Sequence, residues 1–356
     1  MKEYKVGSLF AGVGGICLGF QNAKNDNAKY RLLWANEIDE YACATYKNNF
    51  KHTLLQGDIK LVLHPELSKD SEEKKYYENL HEIILKEPID ILNGGFPCQT
   101  FSIAGEQKGF EDERGNLFLN IVDLINMLGE KFYKPRVLFL ENVKNLQAHD
   151  NGRTYKVIKD KLEECGYKIF EKVLNTMEYS DLPQNRERIY IVAFRNNIDS
   201  SEFHFPEPTN PNTCIRDIME EHEVSVKYYL STVYIETLKR HKARHEAKGN
   251  GFGYEIRNLD GKAGAIVCGG MGRERNLIID KRLTNFTPIT HIKGEVNREG
   301  IRKMTPREWA RLQGFPDDFR LELADTHLYK QLGNSVTVNV IEEIAKEIRK
   351  VLENDK

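Results

Sequence analysis

Ser8-Leu9-Phe10-Ala11-Gly12-Val13-Gly14-Gly15 is the stretch whose reading decides the fold. An apolar strand, Val6–Phe10, runs straight into a glycine-rich turn, and a helix begins near Ile16. Glycines allow a tight turn and let a ligand approach the main chain closely. Glu37 follows Gly12 by 25 residues, at the end of a second apolar strand, Leu32–Ala35. A carboxylate there is placed to accept hydrogen bonds from ribose hydroxyls. Asp58 is read as the group that reaches an adenine amino group. The strict G-x-G-x-x-G spacing is not met, because its third position holds Cys17. A glycine-rich turn alone is also an ordinary βα corner. Together with Glu37 and Asp58 it favours a nucleoside ligand.

Further strand candidates follow at Ile89–Leu92, Val137–Leu140 and Ile189–Phe194. Amphipathic stretches such as Tyr41–Phe50, Leu117–Leu128 and Tyr155–Cys165 separate them. This alternation predicts an α/β fold of βαβ units with a mostly parallel sheet. Residues 65–87, rich in Glu and Lys, read as a solvated helical insertion. Pro206, Pro208 and Pro211 suggest a linker. Residues 217–300 lack the βα alternation and read as a smaller second domain. Val340, Ile341, Ile344, Ala345, Ile348, Val351 and Leu352 have helical spacing. They are expected to pack back on the first domain, which makes the second an insertion. The expected boundaries are 1–210, 211–325 and 326–356.

Gly94-Gly95-Phe96-Pro97-Cys98-Gln99 follows the strand Ile89–Leu92. Ligands in open α/β sheets bind beyond the carboxyl ends of strands. A cysteine there becomes a nucleophile if its thiolate is stabilised; otherwise it is a small buried hydrophobe. The irregular stretch Thr100–Gly115 is long enough to be a lid or binding loop. Glu141-Asn142-Val143 and Gln184-Asn185-Arg186-Glu187-Arg188 flank two further strands. An acid and two arginines converging on a cysteine would polarise a heterocycle; any one of them alone reads as part of a surface salt-bridge network.

The chain has 356 residues, 40% apolar and 30% charged, an ordinary globular composition. No apolar run approaches the roughly 18–20 residues of a membrane span. The segment MKEYKVGSLF lacks a signal-type apolar region, so a secretory leader is not expected. The six cysteines include no C-x-x-C pair. Structural zinc is therefore not expected, and a reducing cytoplasm is. The net charge of −2 hides an uneven spread. Lys227 to Arg320 holds 19 Lys and Arg against 11 Asp and Glu, a local +8 that leaves −10 elsewhere. A polyanion responds to the local field, so a nucleic-acid partner stays open.

The set FAGVGG, GGFPCQTFS, ENV, QNRER, RKMTPREWARLQGFP (Arg302–Pro316) and QLGNSVTVNV (Gln331–Val340) resembles the DNA (cytosine-5) methyltransferases, in the family's order. Lys227–Thr232, Gly249–Ile256, Gly269–Leu277 and Gly294–Pro316 are similar to the HpaII-type methylases that modify CCGG. The resemblance implies a Rossmann-like S-adenosylmethionine-dependent methyltransferase sheet with a smaller inserted target-recognition domain. It implies methyl transfer from S-adenosylmethionine to carbon 5 of a flipped-out cytosine, the inner one of CCGG, in double-stranded DNA. A bacterial restriction–modification setting comes with it: a cytoplasmic enzyme, by default monomeric, paired with a cognate endonuclease.

The same resemblance assigns roles. Cys98 matches the nucleophile and Glu141 the acid at ring nitrogen 3. Arg188 matches the arginine near the cytosine carbonyl, and Arg186 one that faces phosphate and organises the site. Phe10, Gly12, Gly14, Glu37, Asp58, Pro97, Leu117, Asn334 and Ser335 match cofactor contacts. Ser8 stands where the family usually has Asp, and Ile38 where it often has an aromatic residue. Ser102, Arg114 and Gln184 are expected at DNA, with Gly105 and Gly109 as flexible points of a closing loop. Arg273 and Arg275 are candidates for base readout, because arginine on guanine is the commonest specific contact. Lys239, Arg240, Lys242 and Arg244 are assigned to phosphates. Two rivals stay open, a transfer-RNA cytosine methyltransferase and a catalytically silent DNA-binding module. The basic segment speaks against the first, and the intact Cys98, Glu141 and arginine pair against the second.

Overall fold

The computed structural model describes residues 1–96, 117–251, 253–269, 272–289 and 292–355. Pro97, Cys98, Ser102, Gly105, Gly109 and Arg114 lie outside the described residues. In chain order the elements begin β1 (Lys2–Leu9), α1 (Gly15–Asn22), β2 (Ala28–Glu37), α2 (Glu40–Asn49), β3 (Thr53–Gln56) and α3 (Ile59–Leu63). Then come α4 (Ser71–Ile84), β4 (Ile91–Gly95), α5 (Leu117–Lys131), β5 (Val137–Val143), α6 (Arg153–Glu164) and β6 (Tyr167–Asn175). After α7 (Thr176–Tyr179) follow β7 (Gln184–Asn185), β8 (Glu187–Arg195), α8 (Thr232–Glu246) and β9 (Ala263–Gly264). The last are β10 (Leu277–Ile279), β11 (Ile301–Lys303), α9 (Pro306–Leu312), α10 (Asp325–Asn334) and α11 (Val338–Asn354).

Contacts divide the chain into two compact units. The first comprises Met1–Leu174, Glu187–Glu207 and Val338–Lys356. Its seven-stranded sheet has the order β3-β2-β1-β4-β5-β8-β6. Neighbours from β3 through β5 pair in parallel, and β8 runs antiparallel to β5. Successive strand residues point to opposite faces. On β5, Leu138 and Leu140 enter a core with Ile121, Leu124 and Ile125 of α5 and Ile158 and Leu162 of α6. Phe139 between them meets Phe20 of α1 edge-on at 5.3 Å, on the other face. There α11 packs so closely on α1 that a Cβ on Gly19 would sit 2.6 Å from Ile341. Helix α4 is less solvated than its Glu and Lys content suggests. Tyr77, Leu80 and Ile84 lie on one stripe and join the core.

The second unit comprises Asn175–Arg186 and Pro208–Thr337. It is built on two short strand pairs, β10 with β11 antiparallel and β7 with β9 parallel. Ile235 and Leu238 of α8 pack on Leu230, Leu277 and Ile301. Fully buried Arg302 donates to Asp280 and to both oxygens of Glu308. Burial would raise the Asp280 carboxyl, but hydrogen bonds from Arg282 and Arg302 hold it down to about 2. Glu308 also closes a reciprocal cap with Thr305 at the start of α9, satisfying two backbone donors.

Candidate active site

Strand order reverses between β1 and β4: β2 and β3 lie to one side, β5 to the other. In open parallel sheets, ligands bind beyond the carboxyl ends of strands at such a switch point. The loop after β1 begins with Phe10, a non-glycine residue at φ 53°. That left-handed conformation costs roughly 1–2 kcal/mol and is the kind of strain found at ligand sites. Gly12 (φ 54°) would place a Cβ in open space. Gly14 (φ 93°) caps α1, and a Cβ on it would lie 2.2 Å from the Phe50 ring.

Glu37 ends β2 and binds the main chain around it. One carboxylate oxygen accepts from Gly12 N at 2.7 Å. The other accepts from Ile38 N and Asp39 N, both at 2.8 Å. A carboxylate offers about four lone-pair sites, so acceptor capacity remains for hydroxyls. Ile38 beside it is 65% exposed, an apolar shelf next to the carboxylate. Asp58 accepts from Lys60 N at 2.9 Å and so caps α3. Leu117 is the first residue of α5 and packs against the core. These groups fit a nucleoside: an open glycine turn, an anchored carboxylate and an apolar shelf. Ser8 is wholly buried and donates to Asn93 Oδ1 at 2.6 Å, across the β1–β4 pair.

Glu141 lies on β5 in register with Gly95 at the end of β4. Its carboxylate pairs with Arg188 Nε of β8 at 3.1 Å, and both side chains are almost buried. Asn142 Nδ2 donates to Phe96 O at 2.8 Å, which anchors the chain two residues before Cys98. Lys144, just past the end of β5, pairs at 2.9 Å with Glu187, the first residue of β8. Of the described cysteines, Cys17, Cys43 and Cys165 are buried. Burial pushes their thiols up, that of Cys43 to about 12, which leaves them poor nucleophiles.

The remaining predicted residues belong to the second unit. Arg186 is 2% exposed and donates to the carbonyls of Ile266 and Ser335, each at 2.6 Å. It faces main chain where the sequence reading had it facing phosphate, and it ties together the segments around residues 266 and 335. Gln184 is fully buried, donating to Leu312 O at 2.7 Å and accepting from Ile266 N at 3.1 Å. Its expected place at DNA gives way to a place in the interior. Asn334 ends α10, and Ser335 is its C-cap, 8% exposed. Arg273 lies over the Tyr329 ring at 5.3 Å, while Arg275 is exposed. Lys239, Arg240 and Arg244 are exposed on α8, and Lys239 pairs with Glu236. The sequence carries a signal for the buried pair. In Gln184-Asn185-Arg186-Glu187, burial alternates, with Gln184 and Arg186 on the inner side.

Among the described residues no helix is long and apolar enough to cross a membrane. None of them forms a group of three or more His, Cys, Asp or Glu placed to hold a metal ion.

Residues 4–350 match the family model of the C-5 cytosine-specific DNA methylases. The chain is 50% identical over 347 residues to the Type II methyltransferase M.HpaII of Haemophilus parainfluenzae, covering 97% of this chain and 89% of that protein. It is 39% identical over 352 residues to the Type II methyltransferase M.Bsp6I of Bacillus sp. (strain RFL6), covering 97% and 98%. The fold is shared with the Entamoeba histolytica methyltransferase EhMeth, at a TM-score of 0.71 and 21% identity over 99% of both chains. It is shared also with the S. pombe Dnmt2 methyltransferase, at 0.65 and 19% over 99% of both. With its α/β methyltransferase sheet, the chain belongs to the C-5 cytosine-specific DNA methylase family and is a DNA cytosine methyltransferase.

Proposed function

We propose that this enzyme methylates carbon 5 of the inner cytosine of CCGG in double-stranded DNA, using S-adenosylmethionine and a covalent Cys98 adduct. The observation that supports this reading best is the Glu141–Arg188 pair. It sits beside Gly95, three residues before Cys98, at the carboxyl edge of the sheet. Carbon 5 of cytosine is a poor nucleophile while the ring is aromatic. Addition of the Cys98 thiolate to carbon 6 breaks the aromaticity and turns carbon 5 into an enamine-like nucleophile. Glu141 engages ring nitrogen 3 and the exocyclic amine, where charge and proton build up during addition. Arg188 orients that carboxylate and reaches toward the cytosine carbonyl. Bound S-adenosylmethionine supplies an electrophilic methyl group. Phe10, Gly12, Gly14, Glu37, Asp58, Pro97 and Leu117 are the residues we assign to hold it. After transfer, a water in the closed site takes the carbon-5 proton, and the thiolate leaves.

A stacked cytosine is out of reach, so it is rotated out of the duplex at a cost of roughly a few kcal/mol. Ser102 and Arg114 are the residues we assign to close over it. The CCGG target and pairing with a cognate endonuclease follow from the resemblance, and a monomer is taken as the default because the sequence carries no oligomerisation signature.

Bisulfite sequencing of duplex DNA exposed to the enzyme and S-adenosylmethionine reads site and position together. Protection at the inner cytosine of CCGG is expected. Parallel assays on transfer RNA should show no transfer, and transfer to RNA in preference to DNA would overturn the duplex reading. DNA containing 5-fluorocytosine should trap a covalent adduct that vanishes in Cys98→Ala. An adduct that persists in that variant would refute the mechanism.

A further inference from the structure

The second unit carries an open groove of about 460 Å³ remote in sequence from the catalytic residues. Lys242 of α8, Tyr254, Glu255, Arg257, Gly264 and Arg275 line it. Three segments are tied together to make it. Glu255 N donates to Glu274 O, Leu277 N to Glu255 O, and Arg257 N to Leu277 O, at 2.8–3.0 Å. Fully buried Asn276 exchanges two hydrogen bonds with the main chain of Gly264. The groove's geometry is therefore held by backbone and does not depend on its exposed side chains.

Arg257 is the hinge between the polar groups. Its Nη2 pairs with the Glu255 carboxylate at 2.6 Å, and its Nε donates to Arg275 O at 3.1 Å. The guanidinium lies against Gly264, where a Cβ would come within 2.5 Å of Nη2. Lys242 Nζ stands over the Tyr254 ring at 5.4 Å. Glu255 is about half exposed, in a groove that otherwise presents cations. A surface built only to hold phosphate would not neutralise one of its own cations, Arg257, with a half-exposed carboxylate. A cation next to a carboxylate instead matches the major-groove edge of a C·G pair. Guanine there offers two acceptors, N7 and O6, and cytosine offers its 4-amino donor.

We propose that this groove reads one C·G pair of the target, Arg275 donating to guanine and Glu255 accepting from the cytosine 4-amino group. Arg257 is a positioning residue that aims both. The proposal rests on the duplex-DNA reading above and deepens it to a base pair.

The test measures methyl transfer by the full chain to duplexes carrying CCGG, and to duplexes in which one non-target C·G pair at a time is replaced by T·A. Glu255→Gln and Arg275→Ala should each lose a roughly 5- to 150-fold preference for C·G at the same single position. Both should still transfer methyl to the substituted duplex. Arg257→Lys should weaken selectivity at that position too, and combining it with Glu255→Gln should add little, because the two act through one interaction. Loss that is uniform across all duplexes would mark a phosphate contact and overturn the proposal, as would unchanged selectivity. Failure of the unmutated enzyme to methylate any duplex would instead overturn the duplex reading, and this proposal with it.

Discussion

At the scale of single residues, Glu37 does two jobs with one carboxylate. It ties down the turn after β1 through Gly12 and the turn after β2 through Ile38 and Asp39, and it retains acceptor sites for hydroxyls. Glu37→Gln replaces one acceptor oxygen with a donor that faces backbone N–H groups. A charge-assisted bond lost from such a site is worth about 1.5–3 kcal/mol. Titration calorimetry with S-adenosylmethionine should therefore show affinity weakened by roughly tenfold or more. Unchanged affinity would remove Glu37 from the cofactor site. The carboxylates Glu37 and Glu141 could be placed from sequence because each ends an apolar strand, which fixes its edge of the sheet. The pairing of Glu141 with Arg188 could not, since it depends on β8 running antiparallel to β5. Arg186 was misread for a related reason. Arginine type suggests a surface partner, whereas its alternate position in Gln184-Asn185-Arg186-Glu187 points it inward, to carbonyls that no local pattern announces.

At the scale of elements, the central strands were visible as apolar runs because both their faces are covered. Within the seven-stranded sheet, the two strands that no run revealed, β3 and β6, are its two edges. β3 has four residues, and β6 interleaves Lys168, Glu171 and Lys172 with its apolar positions. An edge strand tolerates short length and charge, so its hydrophobic signal is weak. The α1–α11 contact shows the opposite extreme, where the apolar spacing of α11 was plain and its partner was set by a glycine. Gly19→Val would press a branched side chain onto Ile341 and the Val338 carbonyl, which lie 2.6 and 2.9 Å from an added Cβ. Overpacking of this kind costs about 1–3 kcal/mol. A fall of several degrees in thermal midpoint is expected, with partial recovery on adding Ile341→Ala. A midpoint that does not move would show that α1 and α11 slide apart freely.

At the scale of the whole molecule, the net charge of −2 says little, because it sums a +8 stretch with a −10 remainder. Arg240 and Arg244 on α8 belong to that stretch and are exposed. Replacing both with alanine should weaken binding to all duplexes alike. The slope of log affinity against log salt should become shallower by roughly two. A slope that stays the same would take α8 off the phosphate backbone. The composition could indicate a polyanion partner, but it could not say which cations face inward, since Arg302 is wholly buried on the carboxylates of Asp280 and Glu308.

The path of the chain has a consequence for how the protein is made. The first unit is written in three pieces, and the last begins only at Val338, after the second unit's sequence has ended. During synthesis, the surface of α1 around Gly19 and Phe20 waits for α11 while more than three hundred residues leave the ribosome. The seven-stranded sheet thus keeps one apolar face partly bare until α11 has been made. Chaperone dependence should concentrate in that interval, because exposed apolar surface in a long nascent chain is prone to aggregate.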